Sequence, residues 1–301
     1  MWSLLSACAS SPISIAERQG FSVSKRVANG FTHAIFRNPV PVAPGGTLSV
    51  YLENDGIPWL RGRLVMLDPT PRHPLMLKLM ALDPGSAVYV GRPCYNGYAD
   101  EPACHPVLWT LARYSDTVVA AMTSVIDALY RESGAARLRL YGHSGGGALA
   151  LLIASRLNDV EAVVTLSGNL DTAAWTAWHQ YTPLATSLNP ATDAAIAPQV
   201  RQVHLLGAKD RNIPPAIVLP WLQSAPERQY YVFDDFDHSC CWEEVWPEVL
   251  RHVMADGNES RQEASAYPGY GPLKSWFGFG EPGEKSATKH AAWVTGRGFL
   301  R

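Results

Sequence analysis

An α/β fold, with a mostly parallel central sheet flanked by helices on both faces, is predicted by three observations. Short apolar, β-branched or aromatic runs bounded by turn residues recur along the chain. In its second half these runs alternate with longer segments of helical period, and such alternation calls for parallel strands joined by crossover helices. Where one run meets one such helix, at 139–155 "LRLYGHSGGGALALLIA", glycines crowd around a single serine. The 301 residues, 47% apolar and 17% charged, are enough for one large core with room for an appendage. A formal charge of −2 without basic blocks carries no footprint of nucleic-acid binding. Ten Trp and twelve Tyr suit a core or an apolar cleft.

Three regions follow in chain order: an N-terminal segment 1–20, one domain over 21–256, and a Gly/Pro-rich tail 257–301. In the first, Leu5-Ser6-Ala7-Cys8 has the order of a bacterial lipobox, in which a small residue precedes a cysteine that becomes lipidated. Only seven residues precede Cys8, fewer than a basic n-region and an apolar h-region need. The segment therefore reads either as a lipoprotein leader truncated at its start, the favoured reading, or as a chance match. Cys8 is its lipidation candidate and membrane attachment point. The expected location is the bacterial cell envelope, periplasmic or lipid-anchored, with the cytoplasm as the alternative. No segment reaches the roughly 18 apolar residues of a membrane span.

Within the domain, 21–38 reads as a hairpin of two strands. Six further strands are predicted at 46–54, 86–92, 136–142, 161–167, 201–207 and 228–234, and helices at 115–133, 146–157, 214–225 and 241–255. The tail has the composition of a mobile segment, although Trp276, Phe277, Phe279 and Trp293 suit docking on the body better than full solvation.

With Cys8 set aside, Cys94, Cys104, Cys240 and Cys241 remain. An even number permits disulfides in an oxidising compartment, against four reduced thiols in the cytosol. Of the three possible pairings Cys94 with Cys104 is the local choice, and closing so short a loop is worth about 2–3 kcal/mol in the chain-entropy picture. No CxxC pair and no His/Cys cluster at ligand spacing points to a metal.

Gly142-His143-Ser144-Gly145-Gly146 fits G-x-S-x-G, the turn that lifts a serine Oγ from a sheet. Composition alone yields about a tenth of such a match in a chain of this size, so the strength of the signal lies in its place between strand and helix. The Gly145 N–H, at a helix N-terminus, faces the position where a carbonyl oxygen becomes an oxyanion. A serine hydroxyl needs a general base, and the base needs an orienting carboxylate. Asp210 in "GAKDRNIPP" and His238 in "FDDFDH" each follow a later predicted strand. Asp171 is the rival acid, and His143, in the variable position of the turn, suits packing better than chemistry.

From about 20 to 256 the chain resembles the α/β-hydrolase superfamily of serine hydrolases, on "GHSGGG", "GAKDRNIPP" and "FDDFDH". The segments "YLENDGIPW", "LDPTPRHPLMLKL", "VYVGRPCY" and "SGNLDTAAW" are similar to an uncharacterised, lipoprotein-like bacterial subgroup. The resemblance implies Ser144 as nucleophile, His238 as base and Asp210 as acid. The frequent HGG oxyanion loop is replaced by Glu53-Asn54-Asp55-Gly56, so the second oxyanion donor is expected from Asp55 or Gly56. Trp175, Trp178 and Tyr181 fall where such folds carry a cap, which makes Trp175 and Trp178 candidates for binding an acyl group, with plain packing as the other reading.

The expected activity is cleavage of a small-molecule carboxylic ester through an acyl-enzyme, with no cofactor. A peptidase or thioesterase with the same triad, or a hydrolase-like scaffold that only binds, are the alternatives. Oligomeric state is not legible.

Overall fold

The sheet of this computed structural model, which describes residues 11–254, has eight strands: β1 (Ser22–Ala28), β2 (Phe31–Arg37), β3 (Thr47–Leu52), β6 (Ala87–Val90), β7 (Arg137–His143), β8 (Val160–Leu166), β9 (Arg201–Gly207) and β10 (Arg228–Phe233). A separate two-stranded hairpin holds β4 (Trp59–Leu60) and β5 (Leu64–Val65). The order in the large sheet is β1-β2-β6-β3-β7-β8-β9-β10. β2 is antiparallel to both β1 and β6, and every other pairing is parallel. A hairpin entering a parallel sheet is the predicted arrangement.

Helices cover both faces, and the period-two alternation of the central strands separates two cores. Leu138 and Leu140 of β7 pack with α3 (Asp116–Ser133), α4 (Gly145–Ala154) and α7 (Pro215–Gln223). Tyr141 points the other way, stacking on Tyr51 and meeting the edge of Trp246 from α8 (Trp242–Met254). The second core also takes in α1 (Pro12–Arg18) and α2 (Leu75–Met80). Two small helices, α5 (Thr172–His179) and α6 (Pro190–Asp193), lie between β8 and β9.

Local chemistry sets the helix ends. Ser115 caps α3 by accepting from the Val118 N–H, Asp116 sits in its positive first turn, and Gly134 ends it in the left-handed conformation. All ten residues of α4 are buried, which fits its continuous apolar sequence. The observed ends of the four long helices lie within a few residues of the predicted ones, the usual scatter of helix termini.

Several elements depart from the sequence reading. α1 lies in the stretch read as a leader, yet Ala16 is fully buried in the second core, so the folded body reaches back to it. α2 has six residues, all buried except Lys78, and is too short to declare a period. The β4–β5 hairpin has two-residue strands, too short to alternate. Cys94 is bonded to Cys104 with Cα atoms 5.5 Å apart, an ordinary disulfide span, and Cys240 to its neighbour Cys241. Cys8 and the tail aromatics lie outside the described residues.

Candidate active site

Ser144 stands between β7 and α4 with φ 54° and ψ −117°, a conformation costly for any side chain and found where the surroundings impose it. The neighbours are what impose it. A Cβ on Gly146 would lie 2.1 Å from the Leu52 carbonyl oxygen of β3, and one on Gly145 would lie 1.9 Å from Asp55 Oδ1. The turn is therefore pressed against the loop after β3, and only glycine fits in the contact. Ser144 is buried with a small opening to solvent. Gly145 is the first residue of α4, so its N–H has no acceptor within the helix.

Asp210 follows β9 and His238 follows β10, the two strands next to β8 along the sheet edge. Their carboxyl ends are where an open α/β sheet gathers its functional groups. His238 Nδ1 donates to Asp210 Oδ2 at 2.8 Å, and Asp210 Oδ1 accepts from the Asn212 and Ile213 N–H groups, each at 2.8 Å. Burial by itself would raise the Asp210 carboxyl, but the bonds from His238 and the backbone hold it below the usual carboxylate range. Burial lowers His238 below its ordinary value, only partly opposed by Asp210. The ring is neutral near pH 7 and its Nε2 is free of a proton.

Nε2 faces the Asn212 amide, 3.1 Å from Nδ2. The amide orientation follows from its other end, where Trp175 Nε1 approaches Asn212 Oδ1 at 3.4 Å. Among the described residues no hydrogen bond joins Ser144 Oγ to His238. The serine loop and the histidine loop are tied by the residue before the serine: His143 Nε2 donates to the His238 carbonyl oxygen at 2.7 Å, with the two rings 4.9 Å apart. His143 Nδ1 in turn lies 3.3 Å from Asn54 Nδ2.

Asn212 therefore stabilises the neutral form of His238. Asn212→Ala is expected to move the acid limb of kcat/KM to higher pH, because the imidazolium form loses a competitor. A pH–rate profile of both proteins checks this, and an unmoved or lowered limb would contradict it.

The loop after β3 is held by a buried ionic cluster that the sequence reading missed. The Asp55 carboxylate pairs with Arg92 and with Arg113 (2.9 Å), and Tyr114 donates to it at 2.6 Å. Tyr95 donates to the Asp55 carbonyl oxygen at 3.0 Å, and Arg92 bonds the Arg113 carbonyl oxygen at 2.7 Å. Burial opposes ionisation of Asp55, yet the two guanidinium groups and Tyr114 keep its carboxyl far below the usual range, while burial pushes the Tyr95 hydroxyl up to about 12. Of the two loop donors expected from the sequence, Gly56 already gives its N–H to Asn54 Oδ1 at 2.7 Å. Asp55 N–H has no partner among the described residues. The only sequence sign of this cluster is Arg92, a charged residue at the end of a predicted strand.

Asp55→Ala would leave two buried guanidinium groups unpaired, and its expected cost is about 3–5 kcal/mol of unfolding free energy. Denaturant unfolding measures it, and a loss under about 1 kcal/mol would show that the cluster is not held as described.

The remaining candidates fall out unequally. Asp171 caps α5, accepting from the Ala173 and Ala174 N–H groups and from Asn189 Nδ2, and does not meet His238. Trp175 is buried, donates to the Asn212 carbonyl oxygen at 3.1 Å and lies under Arg113, so it packs on the acid loop. His179, which sequence reasoning passed over, also donates to that carbonyl oxygen, at 2.7 Å, and stacks on Tyr181. Trp178 is 56% exposed and joins none of these contacts.

No protein-family model matches the chain, and no curated protein sequence matches it. Solved structures do. A serine hydrolase without lid from Xanthomonas campestris is 11% identical with a TM-score of 0.52, over 83% of this chain and 97% of that one. An acylaminoacyl peptidase from Pyrococcus horikoshii is 13% identical with a TM-score of 0.55, over 85% of this chain but only 44% of that one. An esterase from Pyrococcus furiosus is 10% identical with a TM-score of 0.52, over 79% of this chain and 92% of that one. The likeness at these identities is one of fold.

Proposed function

We propose that this chain, which has the α/β-hydrolase fold, is a serine hydrolase that cleaves carboxylic esters through an acyl-enzyme. The observation that supports it most is the strained Ser144 turn tied through His143 to a neutral His238 whose Nδ1–H is held by Asp210. In the first step His238 Nε2 exchanges the Asn212 amide for the Ser144 hydroxyl and takes its proton as Oγ attacks the carbonyl carbon. A contact of this kind often tightens only with substrate bound. The oxyanion is held by the Gly145 N–H, aided by the α4 dipole, and by the Asp55 N–H. The alcohol leaves with the proton from Nε2. Water, deprotonated by the same nitrogen, then releases the acid and restores Ser144.

An ester rather than a peptide with a free amino terminus fits the charge balance. The acid beside the turn, Asp55, is neutralised by Arg92 and Arg113 and has no charge left for an ammonium group. Cys8 lipidation and a cell-envelope location belong to the same proposal.

Initial rates on p-nitrophenyl esters of increasing acyl length, set against a peptide p-nitroanilide and an acyl thioester, test the substrate class. The highest kcat/KM is expected on an ester. A preference for the anilide or the thioester would transfer the assignment to a peptidase or thioesterase, and no turnover of any of them would favour a binding scaffold.

A further inference from the structure

The β4–β5 hairpin leaves the body directly after the Asp55–Gly56 loop and joins no other strand among the described residues. Its base is fixed: Ile57 N–H donates to the Pro69 carbonyl oxygen at 2.8 Å, Met66 N–H to that of Pro58 at 3.0 Å, and Trp109 Nε1 to that of Met66 at 3.0 Å. Its surface is apolar and open to solvent. Trp59, Leu60, Leu64, Val65 and Leu67 are five of the eleven exposed large hydrophobic residues among those described, and Leu67 is 88% exposed. Scattered exposed apolar residues need no explanation, but five within nine positions on one anchored hairpin form a patch of the kind that marks an interaction surface.

Beneath the hairpin runs a groove of about 1300 Å³ bounded by α1, the hairpin and the start of α2, with Ile15, Leu60, Leu64, Pro71 and Pro74 among its walls. Its charges are mainly basic. Arg18, Arg72 and Lys78 line it, and Arg61 and Arg63 flank Gly62 at the hairpin tip. Lys78 pairs with Glu243, whereas Arg18, Arg61, Arg63 and Arg72 have no ion-pair partner among the described residues. The single acid of the lining, Asp68, accepts from the Thr70 N–H. An exposed apolar face rimmed by unpaired arginines is complementary to a bilayer surface that carries anionic headgroups. The described chain also begins there: Ser11 lines the groove, and Cys8 precedes it by three residues.

We propose that the 57–67 hairpin and the groove beneath it form a docking surface for an anionic lipid bilayer. Leu60, Leu64 and Leu67 enter the interface while Arg61, Arg63 and Arg72 meet the headgroup phosphates. The inference does not rest on the hydrolase reading, because none of these residues belongs to the Ser144, Asp210 and His238 set.

The test is flotation of the full chain with vesicles of phosphatidylcholine alone and of phosphatidylcholine with an equal part of phosphatidylglycerol. Cys8→Ser in every sample removes any covalent lipid. Binding to the anionic vesicles is expected to exceed binding to the neutral ones by about tenfold or more and to fall with added salt. Leu60→Ser/Leu64→Ser/Leu67→Ser, all at exposed positions, should weaken it about tenfold or more with Tm unchanged. Arg61→Gln/Arg63→Gln should remove most of the anionic preference.

Absence of vesicle binding by the full chain, or binding that the leucine substitutions leave unchanged, would overturn the proposal. Two outcomes would reassign the surface. A dimer in light scattering that the leucine substitutions dissociate, without vesicle binding, would make it a self-association face. Vesicle binding that appears only after removal of 255–301 would make the aromatic tail its occupant.

Discussion

Ser144→Ala is expected to lower kcat by about 10³–10⁶-fold while leaving the protein folded, because removing the nucleophile of a triad leaves only the oxyanion donors and substrate binding. Folding should be unaffected for a local reason. The strain at Ser144 comes from its φ of 54° and from the approach of Gly146 to the Leu52 carbonyl, and neither depends on the hydroxyl. No hydrogen bond of Ser144 Oγ is lost among the described residues. Ester hydrolysis and thermal unfolding measured on the same preparation check both halves. Activity that survives substitution would show that the nucleophile lies elsewhere, and a folding loss would show that the turn needs the hydroxyl.

Asp210→Asn should follow closely, at about 10⁴-fold in kcat with little change in fold. The asparagine Oδ1 can still accept from the Asn212 and Ile213 N–H groups, so the loop geometry is kept. Its Nδ2 donates, however, where Oδ2 accepted the His238 Nδ1–H. The ring then turns its proton to Nε2, the atom required to be unprotonated. Asp171→Ala is the control that separates the two acids: as the cap of α5 it should cost about 1 kcal/mol of stability and leave kcat nearly unchanged. Equal losses from both substitutions would mean that the acid had been misassigned.

The acid limb of the parent follows from the same pair. His238 is held below the ordinary histidine value by burial, and the base form is the active one, so kcat/KM should rise with pH through a midpoint below about 6.5. A pH–rate profile measures it, and a limb centred above that value would mean that the ring is less buried than described.

How much was readable before the structure depends on the range over which each feature is encoded. The eight sheet strands are short runs bounded by turn residues, and the four long helices extend over nine or more residues, so both declare themselves in short windows. The Ser144 turn was legible because glycines at fixed offsets report a close approach of backbone. The pairing of Asp210 with His238 was legible because each follows a later strand, and the sheet restricts where such residues can stand. α1 and α2 were not, at seven and six residues. Neither was the Asp55 cluster, whose partners at 92, 113 and 114 are brought together only by tertiary packing. Asn212 and His143 were hidden for a different reason. Each looks like an ordinary loop or turn residue until the ring of His238 is placed beside it.

The central claim is that Ser144 is an activated nucleophile, and labelling of the folded protein with a fluorophosphonate probe, followed by peptide mapping of the adduct, tests it most directly. The account expects one adduct on the peptide that contains Ser144, lost in Ser144→Ala and slowed as pH falls through the titration of His238. A folded parent that takes no label, or takes it on another residue, would contradict the account.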